Sequence, residues 1–203
     1  MIGKWKKQRN LFLVAIAVSM LIVGCGKPVD TKQKENQISE TEEYDKTIEE
    51  DFENTTGLPT QIPAFTAKDL EGNTITENIF AEKDLTVVNI WGTFCMPCVG
   101  EMPELGEWAK VMPDNVQIVG LICDIAGEND TEHHDLAVTI TEKAGVEFTN
   151  IIANKDWNDI MSWVIGVPTT LFVDKNGKIV GNPIVGADVQ GYKAFVEDYL
   201  AGQ

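Results

Sequence analysis

Apolar residues gather into short blocks along this chain, and most of the blocks have the length of strands. Leu85 to Trp91 (LTVVNIW) and Val116 to Cys123 (VQIVGLIC) are near-continuous runs, the pattern of strands buried on both faces. Thr169 to Val173 (TTLFV) and Lys178 to Val185 read as two strands joined by the turn Asp174-Lys175-Asn176-Gly177. Phe148 to Ile152 is a further short strand, and Phe65 to Ile75 is a strand, a turn at Gly72-Asn73 and another strand. Helical spacing covers Cys95 to about Val111, with an interruption at Pro103, whose missing N–H should kink the helix. It recurs from Thr131 to Ala144, stopping at Gly145, and from Asp156 to Val164, with Asp156 as the expected cap. An amphipathic pattern from Val189 to Leu200 predicts a last helix. Strand–helix–strand units imply parallel pairing with right-handed crossovers, and the late hairpin adds antiparallel strands. The expected fold class is α/β, a three-layer sandwich with a mixed central sheet and flanking helices, occupying residues 61–203.

The pattern upstream is different. Residues 26 to about 60 are polar and acidic, with few large apolar groups and no clear amphipathic period beyond a local helix at Glu42 to Phe52. Such a segment buries too little surface to offset chain entropy. Residues 25–60 are therefore expected to form a flexible acidic tether. Before it, Lys4, Lys6, Lys7 and Arg9 precede the uncharged run Leu11 to Val23, 13 residues long. That is short of the roughly 20 residues needed to cross a bilayer as a helix. A basic segment before a short apolar one is the pattern of a secretory signal peptide, here residues 1–24. The alternative is an uncleaved anchor helix. Ile22-Val23-Gly24-Cys25 resembles a bacterial lipobox, which implies that Cys25 receives a diacylglyceryl thioether and becomes the mature N-terminus. Acyl chains would hold the protein on the outer face of the cell membrane, each buried methylene contributing about 0.8 kcal/mol.

Composition narrows the function classes. The chain has 203 residues, 16 basic and 32 acidic side chains, and a net charge of -16. Loss of residues 1–24 removes four positive charges and no negative ones, leaving 12 basic against 32 acidic, or -20. Nucleic acid is excluded as a partner because its phosphates need a cationic face. Arg9 is the only arginine, so the mature protein has no bidentate arginine clamp. Four cysteines are too few for a disulfide-dense scaffold, so each needs its own explanation.

The chemistry points to Cys95-Met96-Pro97-Cys98, where a buried strand hands over to a helix. Cys95 falls at the helix N-terminus, where unpaired N–H groups and the helix dipole favour a thiolate. Cys98 lies one turn later on the same side, within disulfide reach. Pro97 sits in the first turn, where a missing N–H costs little. One thiolate can attack a substrate disulfide and its neighbour can resolve the mixed disulfide. Two alternatives remain at this point. The pair could be half of a zinc site, for which Cys123, His133 and His134 are the only further ligands and no second ligand pair is spaced to help. It could also be a static structural bond.

Val88-Asn89-Ile90-Trp91-Gly92-Thr93-Phe94-Cys95-Met96-Pro97-Cys98 followed by Glu101-Met102-Pro103 resembles the thioredoxin-like TlpA/ResA/CcmG group of extracytoplasmic thiol–disulfide oxidoreductases. Gly166-Val167-Pro168-Thr169-Thr170-Leu171-Phe172-Val173-Asp174 resembles the later segment of the same group. The resemblance implies a thioredoxin-like fold with Cys95 as exposed nucleophile and Cys98 as buried resolving thiol. It implies that Glu101 tunes the cysteines, unless it only caps the helix start. It implies that Pro168 is a cis-proline opposite the cysteines, although Val-Pro before a strand can also be an ordinary trans bond. Val167 backbone and Trp91 would then contact substrate. No cofactor beyond the Cys95–Cys98 dithiol and no metal is expected. The implied partners are client proteins with disulfides and a membrane electron donor of the CcdA/DsbD type. The protein is expected to act as a monomer.

The sequence departs from the group in two places. Phe94 replaces the usual Trp, and Met96 is apolar where relatives often carry a polar residue; both blur the redox potential. Asn89 stands where thioredoxin has a buried Asp. Cys123 reads as a buried apolar thiol or as a third thiol near the active site. Trp157 and Trp163 suit core or groove-lining positions. A thiol peroxidase is a second enzymatic reading, but Thr93 is two residues before Cys95 rather than three and the upstream Pro is absent. A binding lipoprotein with a permanent Cys95–Cys98 staple is the non-enzymatic reading.

Overall fold

In the computed structural model, which describes residue 57 and residues 59–202, the chain enters the fold as a hairpin. Strand β1 (Thr66–Lys68) pairs antiparallel with β2 (Thr74–Thr76). Asp69 makes the turn, its carboxylate accepting the Asn73 backbone N–H at 2.7 Å and side-chain amide at 3.0 Å. After a 3-10 turn the order is β3 (Leu85–Trp91), α1 (Met96–Ala109), β4 (Val116–Ile122), α2 (Thr131–Ala144), β5 (Asn150–Ile152), α3 (Asn158–Trp163), β6 (Thr169–Asp174), β7 (Ile184–Val185) and α4 (Val189–Ala201). Five strands form one mixed sheet in the order β5-β4-β3-β6-β7. β3, β4 and β5 run parallel, while β6 is antiparallel to β3 and β7 to β6. This is the α/β three-layer sandwich that the order of elements implied.

β3 lies at the centre of the sheet, and every residue in it is buried. Its side chains alternate between two cores. Leu85, Val87 and Trp91 pack with Met102, Leu105 and Trp108 of α1, Ala137 of α2 and Tyr192 and Val196 of α4. Val88 and Ile90 pack on the opposite face with Ile62, Phe65, Phe80, Trp157 and Ile160. Alternation places Asn89 on the first of these faces, toward α1 and α4. It is the only amide in the run.

Local chemistry explains where the elements stop. Gly145 ends α2 in the left-handed conformation at φ 66°, as the position of that glycine predicted. Three expectations are corrected. Asp156 does not cap the helix before the Pro168 loop. Asn154 caps a 3-10 turn there through its side chain, and Asp156 instead accepts the Thr66 backbone N–H at 3.2 Å. Pro103 lies inside α1, which continues through it to Ala109. The strand expected from Lys178 to Val185 is broken. Ile179 bridges Val173, and the chain returns to the sheet only at Ile184–Val185, after Pro183, which has no N–H to give.

Gly120 of β4 marks a close approach. A Cβ there would overlap the Asn150 side-chain amide and lie 3.1 Å from Trp91 Nε1. Those two groups bond each other, Trp91 Nε1 donating to Asn150 Oδ1 at 3.0 Å. Gly120→Ala should therefore destabilise the fold by about 1–3 kcal/mol, the usual cost of overpacking a core. Denaturant unfolding with an unchanged m value checks this.

Candidate active site

The loop from β3 into α1 is held from both sides. Thr93 gives both its backbone N–H and its hydroxyl to Asp124 Oδ2, at 2.8 and 2.7 Å. The Cys95 N–H returns to the Gly92 carbonyl at 3.1 Å. Cys95 then caps α1, its sulfur accepting the Cys98 N–H at 3.2 Å. Pro97 lies in the first helical turn, whose N–H groups have no partner within the helix. One turn apart, Cys95 and Cys98 are joined by a disulfide with Cα atoms 5.2 Å apart.

The two sulfurs do not share an environment. Cys98 is fully buried, whereas Cys95 keeps 5% of its surface. Cys95 opens into a groove of about 600 Å³ whose lining includes Phe94, Met96, Pro97, Val164, Ile165 and Val167. Among the described residues no charged side chain lines it. Phe94, Met96 and Ile165 stand 69%, 76% and 90% exposed at its rim. Across the groove the Val167–Pro168 bond is cis, and the Val167 carbonyl lies 3.3 Å from Cys95 Sγ. Cys123 and Met161 also line this groove, and both continue into a second one between β1, the loop after β4 and the start of α3.

Beneath the disulfide lies a buried polar cluster. Glu101, one turn beyond Cys98 on α1, is 5% exposed. Asn89 Nδ2 donates to its Oε1 at 2.9 Å and also to Thr170 Oγ1 at 3.2 Å. Tyr192 donates its hydroxyl toward Glu101 Oε2 at 3.1 Å. Burial pushes the Glu101 carboxyl above the usual carboxylate range, and the bonds from Asn89 and Tyr192 only partly offset this. Burial likewise pushes Tyr192 up to about 12. Asn89 Oδ1 is buried with no hydrogen-bond partner among the described residues.

The sequence model of the AhpC/TSA family matches residues 59–181. The thiol-disulfide oxidoreductase ResA of Bacillus thuringiensis subsp. konkukian is 32% identical over 144 residues, covering 69% of this chain and 75% of that protein. The chain belongs to the AhpC/TSA family. Its solved likenesses agree. The thioredoxin domain of a thiol-disulfide oxidoreductase from Bacteroides vulgatus matches with 28% identity and a TM-score of 0.54, over 70% of this chain and 98% of that one. A thiol:disulfide interchange protein from Bacteroides sp. matches with 26% identity and a TM-score of 0.55, over 70% and 92%. This AhpC/TSA-family chain is thus a thioredoxin-like thiol–disulfide oxidoreductase of the TlpA/ResA/CcmG type, with Cys95 and Cys98 as its CxxC pair.

The structure brings Cys95, Cys98, Glu101, Val167 and Pro168 to one end of the sheet. It places Trp91 elsewhere. Trp91 is fully buried, with its indole spent on Asn150, so it supports the site from below and offers no surface to a client. Cys95 is also less open than an exposed nucleophile. Cys123 is a free, half-buried thiol on the groove wall, and burial and neighbouring Asp124 push its pKa up. Trp157 lies in the core. Cys25, the signal segment and residues 26–56 of the tether lie outside the described residues. Three residues of the cluster, Asn89, Thr170 and Tyr192, were not singled out as site residues from the sequence. Asn89 had a signal, a lone amide within an apolar strand. Tyr192 had none, since a tyrosine in an amphipathic helix is ordinary core.

Proposed function

We propose that this chain is a membrane-tethered, extracytoplasmic reductase of client protein disulfides. Residues 1–24 would be its signal peptide, Cys25 its lipid anchor, 25–60 its tether and 61–203 its catalytic domain, working as a monomer. In this reading the Cys95 thiolate attacks a client sulfur, the client's disulfide breaks, and a Cys95–client mixed disulfide forms. The Glu101 carboxylate takes the Cys98 proton. Cys98 then attacks Cys95 Sγ, the client leaves as a dithiol, and the Cys95–Cys98 disulfide remains. Two electrons pass to the client, and a membrane donor of the CcdA/DsbD type would restore them.

The observation that carries this reading is the uncharged groove around Cys95. A strongly oxidising CxxC pair owes its potential to a stabilised reduced form. Here, among the described residues, one backbone N–H supports the Cys95 sulfur, and no Lys, Arg or His lines the groove. The buried Glu101 carboxylate, one turn beyond Cys98, disfavours a thiolate in the pair further. The expected potential is near or below about -270 mV, the range of thioredoxin rather than of DsbA. Equilibration with dithiothreitol, together with turnover of insulin disulfides, tests this. A value near -120 mV would reverse the direction of electron flow. A pair that never cycles would leave only the binding lipoprotein.

The groove also supports a client class. An extended segment could lie along the Val167 backbone, as in strand addition, with an apolar side chain beside its cysteine. Phe94, Met96 and Ile165 offer it exposed apolar surface. Phe94→Ser with Ile165→Ser should raise KM for a protein client about tenfold, the equivalent of about 1.4 kcal/mol of lost apolar burial, with kcat largely kept. Steady-state kinetics on a cysteine-containing peptide measures both.

A further inference from the structure

The Tyr192 hydroxyl carries one proton and faces the Glu101 carboxyl and the Gly186 carbonyl as acceptors, with the Thr170 side chain also hydrogen-bonded to it. Glu101 Oε2 lies 3.1 Å from it and the Gly186 carbonyl 2.8 Å. The Asp188 backbone N–H donates to the same hydroxyl at 3.2 Å. Gly186 in turn donates its own N–H to the Pro168 carbonyl at 2.8 Å. Pro168 follows Val167, whose carbonyl faces Cys95 Sγ at 3.3 Å. A continuous chain of polar contacts therefore links the Glu101 carboxyl to the loop that faces the nucleophile.

One hydroxyl proton cannot serve both acceptors at full strength. The charge on Glu101 decides between them, because a hydrogen bond to an ion is roughly twice as strong as a neutral one. When Glu101 is neutral, the proton goes to the Gly186 carbonyl, the shorter contact. When Glu101 is ionised, the proton turns to the carboxylate and the Gly186 carbonyl loses its donor.

We propose that Tyr192 is a positioning residue that couples the protonation of Glu101, through Gly186, to the hold on the Val167–Pro168 loop. This rests on the reading of Glu101 as the proton acceptor for Cys98. The phenol keeps its proton throughout and only changes partner. Burial keeps Tyr192 protonated well beyond neutral pH. The other groups in reach are few. On the same helix Glu104 raises Glu101 and is itself paired with Lys193 at 2.7 Å, and Cys98 precedes Glu101 by one turn. On the α4 side, the Asp188 carboxylate caps the helix by accepting the Gly191 N–H at 2.9 Å. During exchange the loop would thus be held most firmly while Glu101 is neutral, and loosened once Glu101 gives up its proton.

The test reads carbon-13 shifts of the Glu101 carboxyl and the Gly186 carbonyl against pH, on the oxidised full-length protein in detergent. In the wild type both are expected to titrate with one midpoint. Tyr192→Phe keeps the ring and removes the hydroxyl. It should abolish the Gly186 titration and raise the Glu101 midpoint by about one unit, because the anion loses a donor. Glu101→Gln should hold Gly186 at its low-pH shift at every pH, and it covers the case in which Tyr192→Phe fails to fold. A Gly186 carbonyl that does not titrate in the wild type overturns the coupling. So does one that titrates unchanged in either variant. No client or turnover enters this measurement, so its failure is distinct from failure of the reductase reading, which insulin turnover decides.

Discussion

Cys98→Ser should turn the enzyme into a trap. The two sulfurs differ in access and in support. Cys95 keeps a small opening into the apolar groove, caps α1 and accepts the Cys98 N–H. Cys98 has no opening at all. On the proposed reading, attack on a client therefore starts from Cys95, and Cys98 acts on the disulfide formed there. With serine at position 98 the first step survives and the second is lost. Turnover of insulin should fall by on the order of 10³-fold or more, because the nucleophile and its resolving partner act as a unit. Covalent client adducts should accumulate, visible on non-reducing gels and released by dithiothreitol. Cys95→Ser should lose turnover to the same degree and yield no adducts. The reverse outcome, adducts with Cys95→Ser and none with Cys98→Ser, would exchange the two roles. The captured clients would also show whether an apolar residue flanks the trapped cysteine, as the groove predicts.

How much of this was legible in the sequence depended on whether the cause was local. LTVVNIW had to be a strand buried on both faces, and it forms β3 over the same residues. Gly145 had to end a helix, because a left-handed residue is easiest for glycine. The CxxC pair was legible because strand, turn and helix start are consecutive. Two of the misreadings depend on partners far along the chain. Asp156 resembled a cap until Thr66, 90 residues earlier, claimed its carboxylate. Trp91, which the family resemblance offers as a client contact, is turned inward by strand alternation, and Asn150 binds its indole. Tyr192 could not be found from the sequence at all. It lies 91 residues from Glu101, and only the packing of α4 against α1 brings the two together. In the sequence, Asn89 reads only as a substitution for an acid. Its position on the α1 face of β3 makes it the donor that holds Glu101 Oε1.

Glu101→Gln should make the oxidised protein more stable at neutral pH while slowing it. Burial raises the Glu101 carboxyl above its unfolded value, and its hydrogen bonds only partly offset this. The folded state therefore binds more protons than the unfolded state between those two values. Stability from this group is full below the unfolded value of about 4.3 and falls as pH rises through the folded value. Gln stands in for the neutral acid. Its carbonyl can accept from Asn89 Nδ2 and its amide can donate to Tyr192, so the variant keeps the low-pH network at every pH. Its melting temperature should match the wild type in acid and exceed it at pH 8, by calorimetry of the oxidised proteins. Activity should move the opposite way. Without the carboxylate, Cys98 must lose its proton unaided. Insulin turnover at pH 7 should fall by on the order of a hundredfold, the low end of what a positioned proton acceptor contributes. The pH–rate curve should also lose the rise set by Glu101 ionisation and recover only in alkali. A variant that was slower but no more stable at pH 8 would mean that the buried carboxyl costs the fold nothing. A variant more stable yet equally fast would remove Glu101 from the chemistry and leave it a buried acid held between Asn89 and Tyr192.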